Sequence, residues 1–255
     1  MRFSLLGSGS KGNATLIEHA GTRILVDCGF SLRETEHRLA RLGLAGGDLS
    51  AILVTHEHQD HLGGVGPVAR KYRLPVWLSR GTWHAAAHRL GSLPELNMLN
   101  SHTDFAIEAL QVHPFPVPHD AREPCQFVFS DGNKQLGLLT DTGRVTPHIA
   151  QQLDACDALI LECTHDEQML RNGPYPPALQ ARVAGGQGHL SNAQAAALLA
   201  QLKHAALQHL VAAHLSEQNN HPELVSQALS EVLGCEPGWI ALADQAKGLD
   251  WREIA

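Results

Sequence analysis

The sequence lacks the usual signs of an exported, disulfide-bonded or membrane-bound protein. Its five cysteines are odd in number and none form a CxxC pair, which argues against a disulfide framework and a thiolate zinc site. No apolar run reaches the roughly 18–20 residues of a membrane span, and the apolar patch at the N-terminus is too short for a signal peptide. We therefore expect a cytoplasmic protein with reduced thiols and no membrane partner.

Positive charge is also scarce. The formal net charge is −7 with neutral histidines, which argues against a broad basic face that holds nucleic acid. An anionic substrate would then need a local source of attraction, such as a bound metal ion. The chain is long enough for one large core, so we expect a single domain over residues 1–255.

Histidine, by contrast, is abundant, with 17 copies, and three of them fall in THEHQDH, directly after the aliphatic run AILV. The run predicts a strand, so the polar cluster lies on a turn at the strand's C-terminal edge, where side chains can converge on one point. His56 and His58 can face one metal ion, while Asp60 and His61 on the next bend can address a second. Imidazole and carboxylate without thiolate suit zinc, manganese or iron. The competing interpretation is a histidine-rich surface loop.

Short apolar and alternating runs predict a strand-rich chain. The predicted strands are RFSLLGS, ATLIEHA, TRILVDCG, AILVTH and LPVWLS, then FAIEALQVHPFPV, CQFVFSD, KQLGLLTD, ALILECTH and, last, HLVAAHLS. Helices are predicted over 31–43, 64–73, 191–205 and 222–234, with Ser31 and Ser191 as N-caps and Gly43 and Gly234 at the ends. The pattern predicts two sheets packed face to face between helical layers.

Single acidic and histidine residues follow other predicted strands and turns: Asp27 in VDCG, His119 in PVPHDA, Asp141 in LLTDTG and His214 in VAAHLS. Each alone has an ordinary structural explanation, as a turn former or a hydrogen-bonded core residue. After a complete HxHxDH over residues 56–61, however, they occur in the order of the motifs of the metallo-β-lactamase superfamily. The sequence resembles that superfamily over most of its length.

The resemblance implies a four-layer αββα sandwich, in which two mixed β-sheets are flanked by helices. It also implies two divalent metal ions, zinc or manganese, with iron as a further alternative. The implied ligands are His56, His58, His119 and Asp141 for one ion, and Asp60, His61, Asp141 and His214 for the other. Asp60 is also assigned to catalysis, and Asp27 and Glu162 are expected to orient the ligands. Such a centre supplies a nucleophilic water at neutral pH.

Ligand identity narrows the branch of the superfamily that the chain resembles. Secreted lactamases lack the bridging aspartate, which is present here as Asp141, and the diiron redox branch has glutamate where His58 stands. The pieces GSGSKGN, HDA, TDTG, ECTHD, GHLSN and HLSEQNNHP resemble the YycJ/WalJ-type subgroup of bacterial metallohydrolases, which is associated with DNA exonuclease activity. The resemblance therefore implies phosphodiester hydrolysis, with DNA ends as the substrate.

Further residues near these motifs are candidates for contact with the substrate. The candidates for substrate binding are Ser10, Lys11, Asn13, Ser216 and Asn219. GSGSKGN could offer backbone N–H groups to a phosphate, and the alternative is a flexible hairpin turn. His165 and His189 are candidates for protonating the leaving oxygen, and the alternative is packing at a turn or helix cap.

The metal motif thus predicts a dinuclear hydrolase, and the resemblance implies that it cleaves phosphodiester bonds, specifically as a DNA exonuclease whose partner is nucleic acid. A homodimer remains an open alternative to a monomer. Two other functions stay open at this point. One is hydrolysis of a small substrate, namely a cyclic phosphodiester, a thioester or a lactone. The other is a metal-binding scaffold without turnover, against which the complete ligand set argues.

Overall fold

The structure is a computed structural model that describes residues 1–203 and 205–255. Its strands are β1 (Arg2–Gly7), β2 (Ala14–His19), β3 (Thr22–Val26), β4 (Ala51–Leu53), β5 (Pro75–Ser79), β6 (Glu95–Leu99), β7 (Phe105–Ile107), β8 (Leu110–Pro116), β9 (Cys125–Ser130), β10 (Gln135–Leu139), β11 (Ala158–Glu162), β12 (His209–Ala213), β13 (Ala241–Leu242) and β14 (Leu249–Glu253). Its helices are α1 (Leu32–Arg41), α2 (Gln59–Leu62), α3 (Val65–Tyr72), α4 (Arg80–Leu90), α5 (Pro147–Leu153), α6 (Glu167–Asn172), α7 (Pro177–Val183), α8 (Asn192–Leu199) and α9 (Pro222–Leu233).

Within the described ranges, seven strands form each of two mixed sheets. The first has the order β14-β1-β2-β3-β4-β5-β6 and the second the order β13-β12-β11-β10-β9-β8-β7. In the first sheet β14 to β3 are antiparallel and β3 to β6 are parallel. The second sheet repeats this plan, antiparallel from β7 to β10 and parallel from β10 to β13. The predicted αββα sandwich of two mixed sheets is confirmed.

Three apolar layers hold the sandwich together. The central layer lies between the sheets and joins Phe3 and Ile17 of the first to Phe127 and Phe129 of the second. An outer layer packs α1, α3 and α4 against the first sheet, and another packs α5, α8 and α9 against the second. Parallel strands are covered on both faces, which explains why β11 is buried without alternation and is apolar over residues 158–161, up to its last residue, Glu162.

The predicted caps agree with the structure. The Ser31 hydroxyl accepts a hydrogen bond from the Glu34 N–H, and Ser191 forms a capping box with Gln194. Gly234 ends α9 in the left-handed region, at φ 63°. Helix α8 ends at Leu199, earlier than predicted, and His204 of the predicted helix lies outside the described residues.

The prediction that HLVAAHLS is the last strand was wrong. Strand β13 extends the second sheet, and β14 crosses back to pair with β1 at the edge of the first. Strand β6 and five helices, α2, α4, α5, α6 and α7, also had no predicted counterpart. Apart from α4, these elements are too short to show a full apolar period, and β14 is recognised only by its distant partner. No helix among the described residues is long and apolar enough to cross a membrane.

Candidate metal centre

The candidate ligands follow the ends of strands from both sheets. THEHQDH comes after β4 of the first sheet, whereas Asp141 and His214 come after β10 and β12 of the second. Parallel strands bring their C-terminal ends to a common edge, so the side chains meet there. The groups whose potential ligand atoms lie within 4.8 Å of one another are His56-His58-His119, His56-His61-Asp141, Asp60-His61-His214 and Asp141-Glu162-His189-His214.

A left-handed backbone occurs just beyond a strand at three residues, Asp27, Asp141 and His214. The φ angles are 59° at Asp27, 52° at Asp141 and 57° at His214. A non-glycine residue in this region costs about 1–3 kcal/mol, and such strain concentrates at functional sites. Aspartate and histidine tolerate the region better than most residues. Asp141 and His214 of the second sheet then reach His61 and Asp60 after the first. Asp27 instead contacts Thr55 and His61, which follow a strand of its own sheet.

Asp27 fixes the orientation of the metal loop. Its carboxylate accepts hydrogen bonds from the Thr55 N–H (2.9 Å) and the Thr55 hydroxyl (2.8 Å). It also lies 2.7 Å from Nδ1 of His61, so it accepts the proton of that ring nitrogen. The opposite nitrogen of His61, Nε2, then faces the centre, 3.1 Å from Asp141. A carboxylate behind a ligand histidine is the arrangement that fixes its tautomer in metal sites.

The other ring nitrogens of the cluster also have partners on the outer side. Nδ1 of His56 lies 2.9 Å from the Thr55 hydroxyl, and Nδ1 of His119 donates to the Gly188 carbonyl at 3.0 Å. Nδ1 of His214 lies 3.2 Å from the hydroxyl of Thr164. These three rings therefore turn Nε2 inward. His58 is reversed, because its Nε2 lies 3.2 Å from the Asp120 carbonyl.

Several inward-facing atoms are buried and have no partner. Nε2 of His56 and Nε2 of His214 make no hydrogen bond among the described residues, and Oδ2 of Asp141 faces the unprotonated Nε2 of His61 at 3.1 Å. Burying such atoms without compensation is costly, so a cluster of them at one point indicates a missing charged partner. Nitrogen and carboxylate donors without sulfur match zinc and manganese. The residues present fit a centre of divalent cations.

The electrostatics of His56 and Asp141 agree with this assignment. Burial lowers the pKa of His56 well below its usual value, so the ring is neutral, as metal binding requires. Burial alone would raise the pKa of Asp141, but the rings of His214 and His61 outweigh it and hold that pKa well below its usual range. Asp141 is therefore a carboxylate at the middle of the cluster.

Glu162 and His189 form a second unit beside the ligands. The Glu162 carboxylate is fully buried and accepts hydrogen bonds from the N–H groups of Thr142 (2.9 Å) and Leu190 (3.2 Å) and the hydroxyl of Thr164 (3.0 Å). It also binds Nδ1 of His189 at 2.8 Å. Burial lowers the pKa of His189, but the bond and charge of Glu162 outweigh this and raise the pKa to about 9. The bond leaves Nε2 of His189 as the atom that can reach a substrate.

A cleft of about 170 Å³ opens over the cluster. Its walls include the predicted residues His165, His189, Ser10, Ser216 and Asn219. The opposite wall is α7 with the loop before it, and this wall was not predicted. It presents Tyr175, Leu179, Arg182 and Val183 to the cleft.

Two predicted substrate-binding residues, Lys11 and Asn13, do not line the cleft. Lys11 points away from the cleft, where its Nζ lies 2.6 Å from Glu217 at the edge of a separate cavity. Asn13 is buried, and its amide binds the Gly9 N–H (2.8 Å) and the Gly9 carbonyl (3.0 Å). Its amide nitrogen also lies 3.1 Å from Nε2 of His61 and 3.3 Å from Oδ2 of Asp60, so Asn13 packs against the candidate ligands.

GSGSKGN thus organises the site internally. Its N–H groups at residues 8, 9, 11, 12 and 13 donate to protein acceptors, so they form no open phosphate cradle. The Ser8 hydroxyl accepts the backbone N–H of His214 at 2.8 Å.

Asp120 is a functional neighbour that the sequence reasoning did not single out. Its carbonyl contacts His58, and its carboxylate forms an ion pair with Arg182 of α7 at 2.6 Å. Arg89 similarly donates to the Glu57 carbonyl inside the metal loop. Asp120 could have been found from its position directly after His119 in PVPHDA. Arg89 and Arg182 come from distant segments and have no such sequence signal.

Comparisons with known proteins agree with this geometry. A family model described as the β-lactamase superfamily domain matches residues 22–214. The fold is shared with the metallo-β-lactamase fold protein YhfI from Bacillus subtilis, with a TM-score of 0.76 and 14% identity over 99% of both chains. It is also shared with the short form of human tRNase Z, with a TM-score of 0.69 and 18% identity over 100% of both chains. The chain therefore belongs to the metallo-β-lactamase superfamily and is a metal-dependent hydrolase.

Relatives within the superfamily match nearly the whole chain. A Bacillus anthracis protein named exodeoxyribonuclease YycJ is 38% identical over 235 residues, which cover 91% of this chain and 89% of that protein. A Streptococcus pneumoniae protein named exodeoxyribonuclease WalJ is 34% identical over 260 residues, covering 98% and 92%. The resemblance to the YycJ/WalJ subgroup is confirmed.

Proposed function

We propose that this protein is a DNA exonuclease that hydrolyses phosphodiester bonds at a centre of two divalent cations. The observation that carries the proposal is the similarity of nearly the whole chain to two proteins named exodeoxyribonucleases, combined with a complete cluster of ligands. Zinc or manganese is the proposed metal, with iron as the alternative. The proposed ligands are His56, His58, His119 and Asp141 for one ion, and Asp60, His61, Asp141 and His214 for the other.

When bound, the two cations supply Lewis acidity and positive charge to the phosphodiester. The chain's own residues supply orientation and a proton. Asp27 holds His61 in one tautomer, and Glu162 holds His189 with Nε2 available to the cleft. We assign His189 as the group that donates a proton from Nε2 to the leaving oxygen. His165 remains an alternative for this role.

The size of the cleft favours a substrate that extends beyond it. Pockets for small molecules usually measure about 300–1,000 Å³, and the cleft over the cluster measures only about 170 Å³. By itself it accommodates a group the size of a phosphodiester, so the remainder of a nucleic-acid strand would lie outside it.

Local charge also supports an anionic substrate, even though the net charge is −7. Arg182 and Arg89 are exposed at the rim and anchored to the loops that carry the histidines. Anchored arginines can contact phosphates next to the scissile bond without a broad basic face.

The test combines metal analysis with assays of bis-p-nitrophenyl phosphate and end-labelled DNA under zinc and manganese. Asp141→Asn is the variant of choice, because asparagine tolerates the left-handed backbone at this position while the anionic charge is removed. Asp250→Asn, on exposed β14, is the matched control. We expect stepwise shortening of DNA from one end by the wild type and the control, and none by Asp141→Asn.

Two outcomes would contradict the proposal. Cleavage of the small diester with intact DNA would refute the DNA exonuclease and redirect the search to small substrates. DNA shortening that persists in a folded, metal-depleted Asp141→Asn protein would refute the assignment of the centre.

A further inference from the structure

A second cavity of about 460 Å³ lies beside the cleft, on the other side of α7. We call it the side pocket and define it by His165, Leu170, Pro177, Gln180, Ala181 and Gln194. Helix α7 forms the partition. Its Leu179, Arg182 and Val183 face the cleft, while Pro177, Gln180 and Ala181 face the side pocket. Both sets repeat at intervals of three and four residues, as expected for two faces of one helix.

His165 connects the two spaces. It lines both the cleft and the side pocket, it is only 2% exposed, and its Nδ1 has no hydrogen-bond partner among the described residues. The preceding residue, Thr164, contacts both the candidate ligand His214 (3.2 Å) and Glu162 (3.0 Å). A group in the side pocket is therefore next to a group bound over the metal cluster, and a buried ring nitrogen lies between them.

The lining of the side pocket combines apolar walls with polar edges. Leu170, Pro177 and Ala181 provide the apolar surface. The Gln194 side-chain oxygen accepts the Ser191 N–H at 2.8 Å, so its amide NH₂ is the group left to donate. The Gln180 amide NH₂ lies 3.4 Å from two carbonyls, so its oxygen is left to accept. A planar ring with donors and acceptors on its edge matches this lining.

We propose that the side pocket binds the nucleobase of the terminal nucleotide while its phosphodiester lies in the cleft. This inference rests on the proposed DNA exonuclease activity. The volume of about 460 Å³ falls in the range of ligand pockets, whereas the cleft alone does not. The sugar passes His165, the base is buried against the apolar walls, and the rest of the strand leaves through the open side of the cleft.

The nucleobase fits the side pocket better than the phosphate does. The pocket contains Arg171 but also Glu167, so it has no net positive charge to offer a phosphate. The proposed cation ligands and His189 lie on the cleft side. The phosphodiester therefore belongs in the cleft and the uncharged part of the nucleotide belongs in the side pocket.

In the experiment a bulky side chain fills the side pocket, and kcat/KM is compared for DNA ends with and without a terminal base. Ala181→Trp places a large ring in the side pocket, and Ala178→Trp places the same ring on the exposed face of α7, outside both cavities. Each protein is assayed on two oligonucleotides, one with a normal terminal nucleotide and one with an abasic sugar at the digested end. The readout is kcat/KM for release of the first nucleotide.

For the wild type and Ala178→Trp we expect kcat/KM to be about tenfold higher for the normal end, the discrimination that a small apolar contact provides. For Ala181→Trp the ratio should fall to about one, through loss on the normal end alone. Metal content and turnover of bis-p-nitrophenyl phosphate should remain at the wild-type level in all three. Ala181→Leu should give an intermediate ratio and serves as the test if the tryptophan variant does not fold.

The possible failures are distinguishable. A wild type that shortens both oligonucleotides equally well refutes the nucleobase site and leaves the exonuclease intact. A ratio that survives in folded Ala181→Trp and Ala181→Leu also refutes the site. A wild type that hydrolyses the small diester but no DNA refutes the proposed function and this inference together.

Discussion

The metal cluster and the wall of α7 lie on opposite sides of the same cleft, and they are built in opposite ways. The cluster follows buried strands, and His56, His61, His119, Asp141 and His214 are themselves buried. Helix α7 has no buried residue, and an exposed ion pair, Arg182–Asp120, holds it to the loop after β8. The buried cluster carries the proposed metal chemistry. Helix α7, which buries no residue, lines the proposed binding surface, so the two sides of the cleft contribute to different parts of the function.

The largest effect should come from removing a candidate metal ligand from the cluster. His58→Ala should lower metal-dependent hydrolysis by about a thousandfold or more, because a metal ion supplies several kcal/mol of transition-state stabilisation. The protein should remain folded, since His58 is only partly buried and packs in no apolar layer. Turnover and circular dichroism measure the two effects, with His88→Ala, at an exposed position of α4, as the control. Unchanged turnover would remove His58 from the centre.

A second test separates the proton donor from the ligands. His189→Ala should lower kcat on DNA by about 10²–10⁴-fold, the contribution of general acid catalysis, while the protein keeps both metal ions. Bis-p-nitrophenyl phosphate, whose leaving group needs no proton, should be hydrolysed with a much smaller loss. Loss of metal together with activity would instead place His189 among the ligands. An equal loss on both substrates would argue against the acid role.

A third test probes the support behind the ligands. Asp27→Asn keeps the shape of the side chain and tolerates the left-handed backbone, but it no longer offers two acceptor oxygens to Thr55 and His61. We expect metal affinity to fall by about 10–100-fold, as for other partners of ligand histidines. Competition with a chelator measures the affinity. An affinity equal to that of the Asp250→Asn control would show that Thr55 alone orients the loop.

The smallest effect should come from the rim. Arg182→Ala removes an exposed cation from the cleft wall, so kcat/KM on DNA should fall a few-fold at low salt and less at high salt, where phosphate contacts are screened. Turnover of the small diester should not change. Arg252→Ala, on exposed β14, is the control. A large loss on the small diester would mean that the Arg182–Asp120 pair acts on His58 and not on DNA.

The parts of the site that could be predicted are those carried by short sequence motifs and by their order along the chain. HxHxDH follows an apolar strand, and the single residues Asp27, His119, Asp141 and His214 follow strands or turns in a fixed order. Their proximity in the structure agrees with the prediction, and the roles of His119, Asp141 and His214 as ligands and of Asp27 as an orienting residue stay proposals. Lys11 and Asn13 show the limit: a glycine-rich turn predicts exposed N–H groups, and only the tertiary partners of those groups decide that they are occupied.

By itself the sequence determined the class of fold, most strands, the helix caps and the metal motif, because these depend on local periodicity and on neighbouring side chains. The single domain over residues 1–255 stays a prediction. Only the tertiary structure decided that β14 returns to pair with β1, that α7 divides the cleft from the side pocket, and that His165 connects them. These features join residues far apart in the chain, and a short helix without a buried face leaves no period by which it could be recognised beforehand.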